Sequence, residues 1–474
     1  MAADGSSPRT LIAGGTLVTA ERAVPGDLLI VDGLIAESGG NLKSSQNVAR
    51  TIDATGMLVM PGGVDTHVHL AHPIDSLGIT TADGFFAGSR AGACGGVTTF
   101  IDFALQRKGE SLHAAVERRV AEIRPEAVTD FSVHVIITDV RPETLAEIPE
   151  LIGEGFPSIK LFMTYGDKRV SDDDMLRVLE VTGPAGGLVF VHCENDAIVS
   201  HLRHQFFHDG RTGPHYHALS RPALAEEEAV NRVAAVAKIV GAPVFIGHVT
   251  TAGAVDTIRR ARADGQPVFG ETCPHYLTLT DDVFAEGAGF EAAKFVCSPP
   301  MRNASHQAAV WKGLEDGTLT QVTSDHAPFR FEGQKTLGRD DFRDIPNGLP
   351  GIETRLPLLY RAGVVEGRLT PSQFVQLVST GPARLFGLYP HKGSLEDGAH
   401  ADVVLFDPDK TGRVRAKELH SEVDYSPYEG MELHGQPVLT LSRGEVVWDG
   451  RETHGGRGRG RLANRSPLDL ELVL

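Results

Sequence analysis

No run in this 474-residue chain approaches the roughly 20 apolar residues needed to span a bilayer. The opening Met1-Ala-Ala-Asp-Gly-Ser-Ser also lacks a signal-peptide pattern. These two absences predict a soluble, cytoplasmic protein with no membrane partner. Cysteine is scarce: Cys94, Cys193, Cys273 and Cys297 show no Cys-X-X-Cys spacing, so neither a disulfide framework nor a zinc ribbon is indicated. Cations are outnumbered, 45 Lys and Arg against 62 Asp and Glu, and a net charge of −17 argues against a general nucleic-acid binder. One basic run, Arg457-Gly-Arg-Gly-Arg461, stands against that background and reads as a solvated tail or a strap onto a neighbouring subunit. No Gly-X-Gly-X-X-Gly follows an early strand-like run, which leaves a doubly wound dinucleotide-binding sheet without support.

What is present begins with a core. A hydrophobic content of 41% can bury a large interior, and the length predicts about two to four domains. Eight strand-like runs fall at residues 64–70, 97–103, 131–137, 158–165, 188–194, 243–249, 267–272 and 321–328. Helical patterning lies between them, as at residues 112–123, 223–239 and 251–263. Strand alternating with helix over this length predicts a (β/α)8 TIM barrel of the α/β class, over residues 61–390. Residues 1–60 and 391–474 have a different texture, short β-rich runs split by turns, and are expected to join as one small β-sandwich built from both termini, plus a tail.

The ends of those runs carry the chemistry. Val64-Asp-Thr-His67-Val-His69-Leu places two histidines at i and i+2, which share one face of a strand and can reach one divalent metal. Lys160 stands inside Ser-Ile-Lys-Leu-Phe-Met-Thr-Tyr165, where a buried ammonium is costly without a partner. His192 and His248 each end a buried-strand pattern, and Asp325 adds a carboxylate in the same setting. Taken singly each residue has a plain structural reading; their shared placement at strand ends is what points to a site. Cys193 adjoins His192 but should face the other way.

The ordered set His67-Val-His69, Lys160-Leu-Phe-Met-Thr-Tyr165, His192-Cys-Glu-Asn195, His248, Ser298-Pro-Pro-Met-Arg302, Ser324-Asp-His-Ala-Pro328 and Ile345-Pro-Asn-Gly-Leu-Pro-Gly-Ile-Glu353 resembles the dihydropyrimidinase and hydantoinase family of cyclic amidohydrolases. The likeness runs from about residue 10 to residue 460 and includes Asp424-Tyr-Ser-Pro-Tyr-Glu-Gly-Met-Glu. It implies two divalent metal ions, zinc first, with manganese or another ion as alternatives. It further implies that one ion takes His67, His69 and Asp325, the other His192 and His248. Lys160, carboxylated on its amine (N6-carboxylysine), is shared between them. An ammonium has no lone pair, so unmodified Lys160 could not ligate a cation. By the same resemblance a hydroxide activated between the metals opens a ring amide to an N-carbamoyl amino acid. Asp325 carries the proton, Tyr165 stabilises the oxyanion, and Ser298 and Asn347 hold the substrate. A homotetramer or homodimer, binding a small cyclic amide or imide, is implied as well. Allantoinase is the alternative activity, and a non-catalytic tetrameric scaffold of the same fold a remote one. After Tyr165 this chain has Gly166-Asp-Lys168-Arg169, two cations where the family commonly has apolar residues. Either both reach into solvent, or Lys168 or Arg169 selects a ring with an anionic or strongly polar substituent.

Overall fold

The computed structural model describes residues 9–42 and 48–473; the leader reading on residues 1–7 lies outside them. Its centre is a sheet of eight strands hydrogen-bonded in chain order: Gly63–Asp65, Val97–Leu105, Asp130–Ile136, Ser158–Phe162, Leu188–His192, Val244–Ile246, Val268–Thr272 and Gln321–Val322. All eight are parallel. The sheet closes on itself: Val68 bridges His326 in parallel, and the His69 amide donates to the His326 carbonyl at 2.8 Å. The result is the expected (β/α)8 barrel. Parallel strands are covered on both faces, and Asp130–Ile136 is accordingly buried along its whole length.

The connecting helices form for local reasons. Leu112–Ile123 buries Leu112, Ala115, Val116, Arg119, Val120 and Ile123, a stripe at helical spacing, and the Ser111 side chain caps it by accepting from the Ala114 amide. Ala223–Val240 stops at Gly241, whose φ of 69° suits a residue without Cβ. Barrel strands and helices share one apolar core that extends onto Met60, Val404 and Phe406 of the terminal strands.

Segments from both flanks of the barrel, within residues 9–61 and 403–448, join a second eight-stranded sheet. Arg9–Val18 pairs antiparallel with Ala23–Val31, and parallel with Arg50–Asp53 and Leu58–Pro61; Leu58–Pro61 then pairs antiparallel with Val403–Arg413. Arg9–Val18 changes its parallel partner at a register shift between Ile12 and Gly15. A Cβ on Gly15 would stand 2.6 Å from Val59 Cγ2, so only glycine lets the backbones close there. The bend folds the sheet around Ile12, Leu28, Val59, Val403 and Leu441, the sandwich-like core expected of the two flanks.

The basic run lies along its own molecule, with Arg457 and Arg461 exposed and Arg459 partly buried. Arg457 pairs with Glu126 and lies 4.1 Å over the Phe86 ring, and Arg459 pairs with Glu445 at 2.8 Å. The Phe131 amide donates to the Arg461 carbonyl and the Ala463 amide to the Phe131 carbonyl, at 3.0 and 2.7 Å. Farther on, buried Arg465 donates to Ser158 Oγ at 2.8 Å and to the Val133 carbonyl at 2.6 Å. Ser158 Oγ in turn lies 2.6 Å from His134 Nδ1, and His134 Nε2 lies 2.8 Å from the Thr66 carbonyl. A carbonyl only accepts, so Nε2 carries the proton and Nδ1 accepts from the serine. Phe386 packs against His134 and Phe245 at 5.1 and 5.3 Å and fills the barrel from the same end.

Candidate active site

At the opposite end the strands open into a cavity of about 590 Å³. His67 and His69 lie just past the first barrel strand, on either side of Val68, whose bridge to His326 keeps the strand-like alternation going. Their Nε2 atoms approach Asp325 Oδ1 at 3.2 and 3.4 Å. The rings of His192 and His248 are 4.5 Å apart, and those of His67 and His248 are 5.5 Å apart. Ligand atoms of His67, His248 and Asp325 all fall within 4.8 Å of one another. Lys160 Nζ sits 3.6 Å from the Phe190 ring centroid. All six ligand positions expected from sequence, with Tyr165, Ser298 and Asn347, line this one cavity. Cys193 is buried in the outer core, away from it.

The electrostatics favour a cation. Lys160 Nζ, His69 Nδ1 and His248 Nδ1 are buried without a hydrogen-bond partner, whereas buried polar atoms are ordinarily paired. Burial lowers the Lys160 ammonium to about 8, which raises the fraction present as a neutral amine, the form that can add carbon dioxide. Burial likewise takes His69 to about 4 and His248 well below its usual value, so both imidazoles are neutral and have a lone pair to give. Burial pushes the Asp325 carboxyl up, but His67 and His69 outweigh it and hold the group well below the usual carboxylate range. Neutral imidazoles, an ionised carboxylate and an amine without a partner form a donor set that fits divalent metal.

Residues that sequence reasoning passed over orient these ligands. Glu271 Oε1 accepts from His67 Nδ1 at 2.5 Å, and Glu271 Oε2 accepts from Thr323 and Gln321 at 2.9 and 3.1 Å. That fixes the tautomer with the His67 Nε2 lone pair turned toward Asp325. Glu194 does the same for His192, accepting from its Nε2 at 2.8 Å and from Arg221 at 2.5 Å. Glu194 is ionised for this role: burial raises its pKa, but Arg221 and His192 bring it to about 2. A signal for Glu271 was present in Val-Phe-Gly-Glu271-Thr, a carboxylate inside an apolar run like Lys160.

Backbone strain gathers at the same place. Tyr165, His248 and Asp325 have φ of 66°, 37° and 44°, left-handed values uncommon for residues with a side chain. Each lies past a strand end, where the chain must turn while aiming its side chain inward. Burial raises the Tyr165 pKa, opposed by Arg221, Ser298 and Asn347, so the phenol stays protonated and able to donate. The two cations after Tyr165 part company: Lys168 lines the cavity, while half-exposed Arg169 pairs with Asp196 at 3.0 Å. A separate group, Cys94, Glu353 and His420, is a structural anchor. Glu353 already accepts from the His420 amide and Nδ1, at 2.7 and 2.8 Å.

A closed parallel barrel with histidines, a carboxylate and an unpaired lysine at its strand ends defines a metal-dependent hydrolase. Residues 58–447 match the model of the Amidohydrolase family. The chain is 43% identical to a D-hydantoinase of Streptomyces coelicolor (strain ATCC BAA-471 / A3(2) / M145) over 97% of its length and 98% of that protein's. It is 44% identical to a D-hydantoinase of Geobacillus stearothermophilus, over 96% of each. The crystal structure of dihydropyrimidinase from Brevibacillus agri NCHU1002 superposes with a TM-score of 0.94 at 40% identity, covering 97% of this chain and 99% of that one. The chain belongs to the Amidohydrolase family, and it is a hydrolase of cyclic amide bonds. No helix among the described residues is long and apolar enough to cross a membrane.

Proposed function

We propose that this cavity opens the ring of 5-substituted hydantoins, of the D series, and of dihydropyrimidines, releasing N-carbamoyl amino acids. The observation that carries the reading is the buried, unpartnered Lys160 nitrogen among neutral histidines and Asp325. His67, His69 and Asp325 would hold one divalent ion and His192 and His248 a second, with Lys160, carboxylated to N6-carboxylysine, shared by both; zinc suits this mixed nitrogen and oxygen set. Bound there, the ions would supply a water acidified to near neutrality and an electrophile for the ring carbonyl. The chain's own residues do the rest. Asp325, ionised at the rim, accepts the proton of the attacking water on a carboxylate oxygen and returns it to the ring nitrogen as the C–N bond breaks. The Tyr165 hydroxyl donates to the carbonyl oxygen as negative charge develops there. Ser298 and Asn347, beside that hydroxyl, hold the ring's amide and imide edge.

Ring opening of dihydrouracil, hydantoin and allantoin by metal-replete protein tests this reading, with Lys160→Ala as the control. Hydantoin or dihydrouracil should lead, and the control should lose about a thousandfold or more in rate and most of its bound metal. Exclusive opening of allantoin, or a control that keeps its rate, would overturn it.

A further inference from the structure

Two lysines near the cavity are withdrawn from water, and they are bonded very differently. Lys160 Nζ meets no hydrogen-bond partner, whereas Lys335 Nζ donates to the carbonyls of Val296, Pro346 and Gly348 at 2.7, 2.7 and 2.9 Å. Only an ammonium carries three N–H donors for three acceptors that cannot donate in return. Lys335 opens the short turn Lys335–Gly338, and the carbonyls it gathers belong to two other stretches of chain. Val296 stands two residues before Ser298, and Pro346 and Gly348 stand on either side of Asn347. Apart from the ammonium, these stretches are joined by one backbone hydrogen bond among the described residues, from the Gly348 amide to the Val296 carbonyl at 3.0 Å.

The bonding stops short of the two residues proposed to hold the ring. Ser298 and Asn347 both line the cavity, and among the described residues their own N–H and C=O groups have no backbone partner. Their neighbours are committed: the Cys297 carbonyl accepts from His217 Nε2 at 2.8 Å and the Pro299 carbonyl from the Tyr276 hydroxyl at 2.7 Å. Free polar groups between fixed ones suit a clamp whose geometry is set before the ligand arrives.

We propose that Lys335 is a positioning residue that sets the spacing between Ser298 and Asn347, and so the fit of the ring's amide and imide edge, without touching substrate. This rests on the ring-opening reading above. Three carbonyl dipoles aimed at one buried point repel one another unless a cation stands there. With the ammonium in place the two stretches are drawn together; without it, only the Gly348 to Val296 bond opposes their separation.

The test measures KM and kcat for hydantoin and dihydrouracil, together with metal content and urea midpoint. It compares the unaltered protein with Lys335→Met, which keeps an unbranched side chain and removes the donors. KM should rise about tenfold or more, as expected for buried acceptors left unpaired, while kcat changes by less than about threefold. Bound metal should stay, because Asp325, Tyr165 and the candidate ligand histidines lie outside the two stretches. Lys335→Gln, with two N–H donors, should recover part of the KM. A lower urea midpoint with unchanged KM would make Lys335 a structural tie only and overturn the proposal, as would loss of kcat and metal in step with KM. Insolubility of both variants would reduce the residue to a requirement for folding and overturn it too. If the unaltered protein opens hydantoin and the KM ratio is near one, the positioning role falls alone; if it opens no ring, the ring-opening reading falls with it.

Discussion

The two ends of the barrel bury polar groups of similar kind and pair them to very different degrees. At the closed end, Arg465, Ser158, His134 and the Thr66 carbonyl form a continuous hydrogen-bonded chain in which only the Arg465 Nε lacks a partner, sealed by Phe386. At the open end, Lys160, His69 and His248 keep buried nitrogens with no protein partner, and three residues hold left-handed backbone angles. Satisfied polar networks stabilise a fold, whereas unsatisfied ones are kept where something else must bind. One barrel therefore divides its labour by end: stability below, reactivity above.

Three substitutions or titrations break or sharpen that division. Phe386→Ala, which empties a fully packed position at the closed end, should cost about 3–5 kcal/mol in urea denaturation. It should leave the metal content of the folded fraction unchanged; a parallel loss of metal would mean that the two ends are not separable. Glu271→Gln acts in reverse. It should lower metal affinity or ring-opening rate by about 10- to 100-fold through His67, with a much smaller change in urea midpoint. The smallest effect is on acid sensitivity. Burial holds His134 well below its usual pKa and takes His217 to about 3, so the folded state resists protonation that the unfolded chain accepts near 6.5. The unfolded chain then binds more protons, and stability falls as pH drops below about 6.5, by about 1.4 kcal/mol per unit for each histidine. His134→Gln should flatten the slope of unfolding free energy against pH between 6.5 and 4 by that amount. A slope unaltered by the change would show that His134 protonates freely in the fold.

Much of this architecture was legible in the chain because parallel barrel strands are buried on both faces and read as apolar runs. All eight expected runs overlap an observed strand, even where only Gln321–Val322 is formally paired. The ligand set was legible for a related reason: a histidine, lysine or aspartate ending an apolar run is an anomaly that local composition reveals. Glu194, Glu271 and Arg221 were harder, since their importance lies in contacts such as Glu271 to His67 across 204 positions of sequence. The contacts of the basic tail were hidden for want of the same information. Nothing in Arg-Gly-Arg-Gly-Arg shows that Glu126, Glu445 and the edge of Phe131 wait for it. Lys168 and Arg169 are adjacent and chemically alike, and only Asp196, folded against one of them, separates their roles.

The brace under the site has a consequence for the order in which the molecule is made. His67 and His69 leave the ribosome early, but the arginine that fixes Ser158, and through His134 the Thr66 carbonyl beside His67, is translated among the last described residues. A nascent chain can thus hold every candidate ligand side chain while the first barrel strand still lacks this support from below. The last described residues therefore brace the first candidate-ligand strand, so the support of the site comes from the far end of the chain.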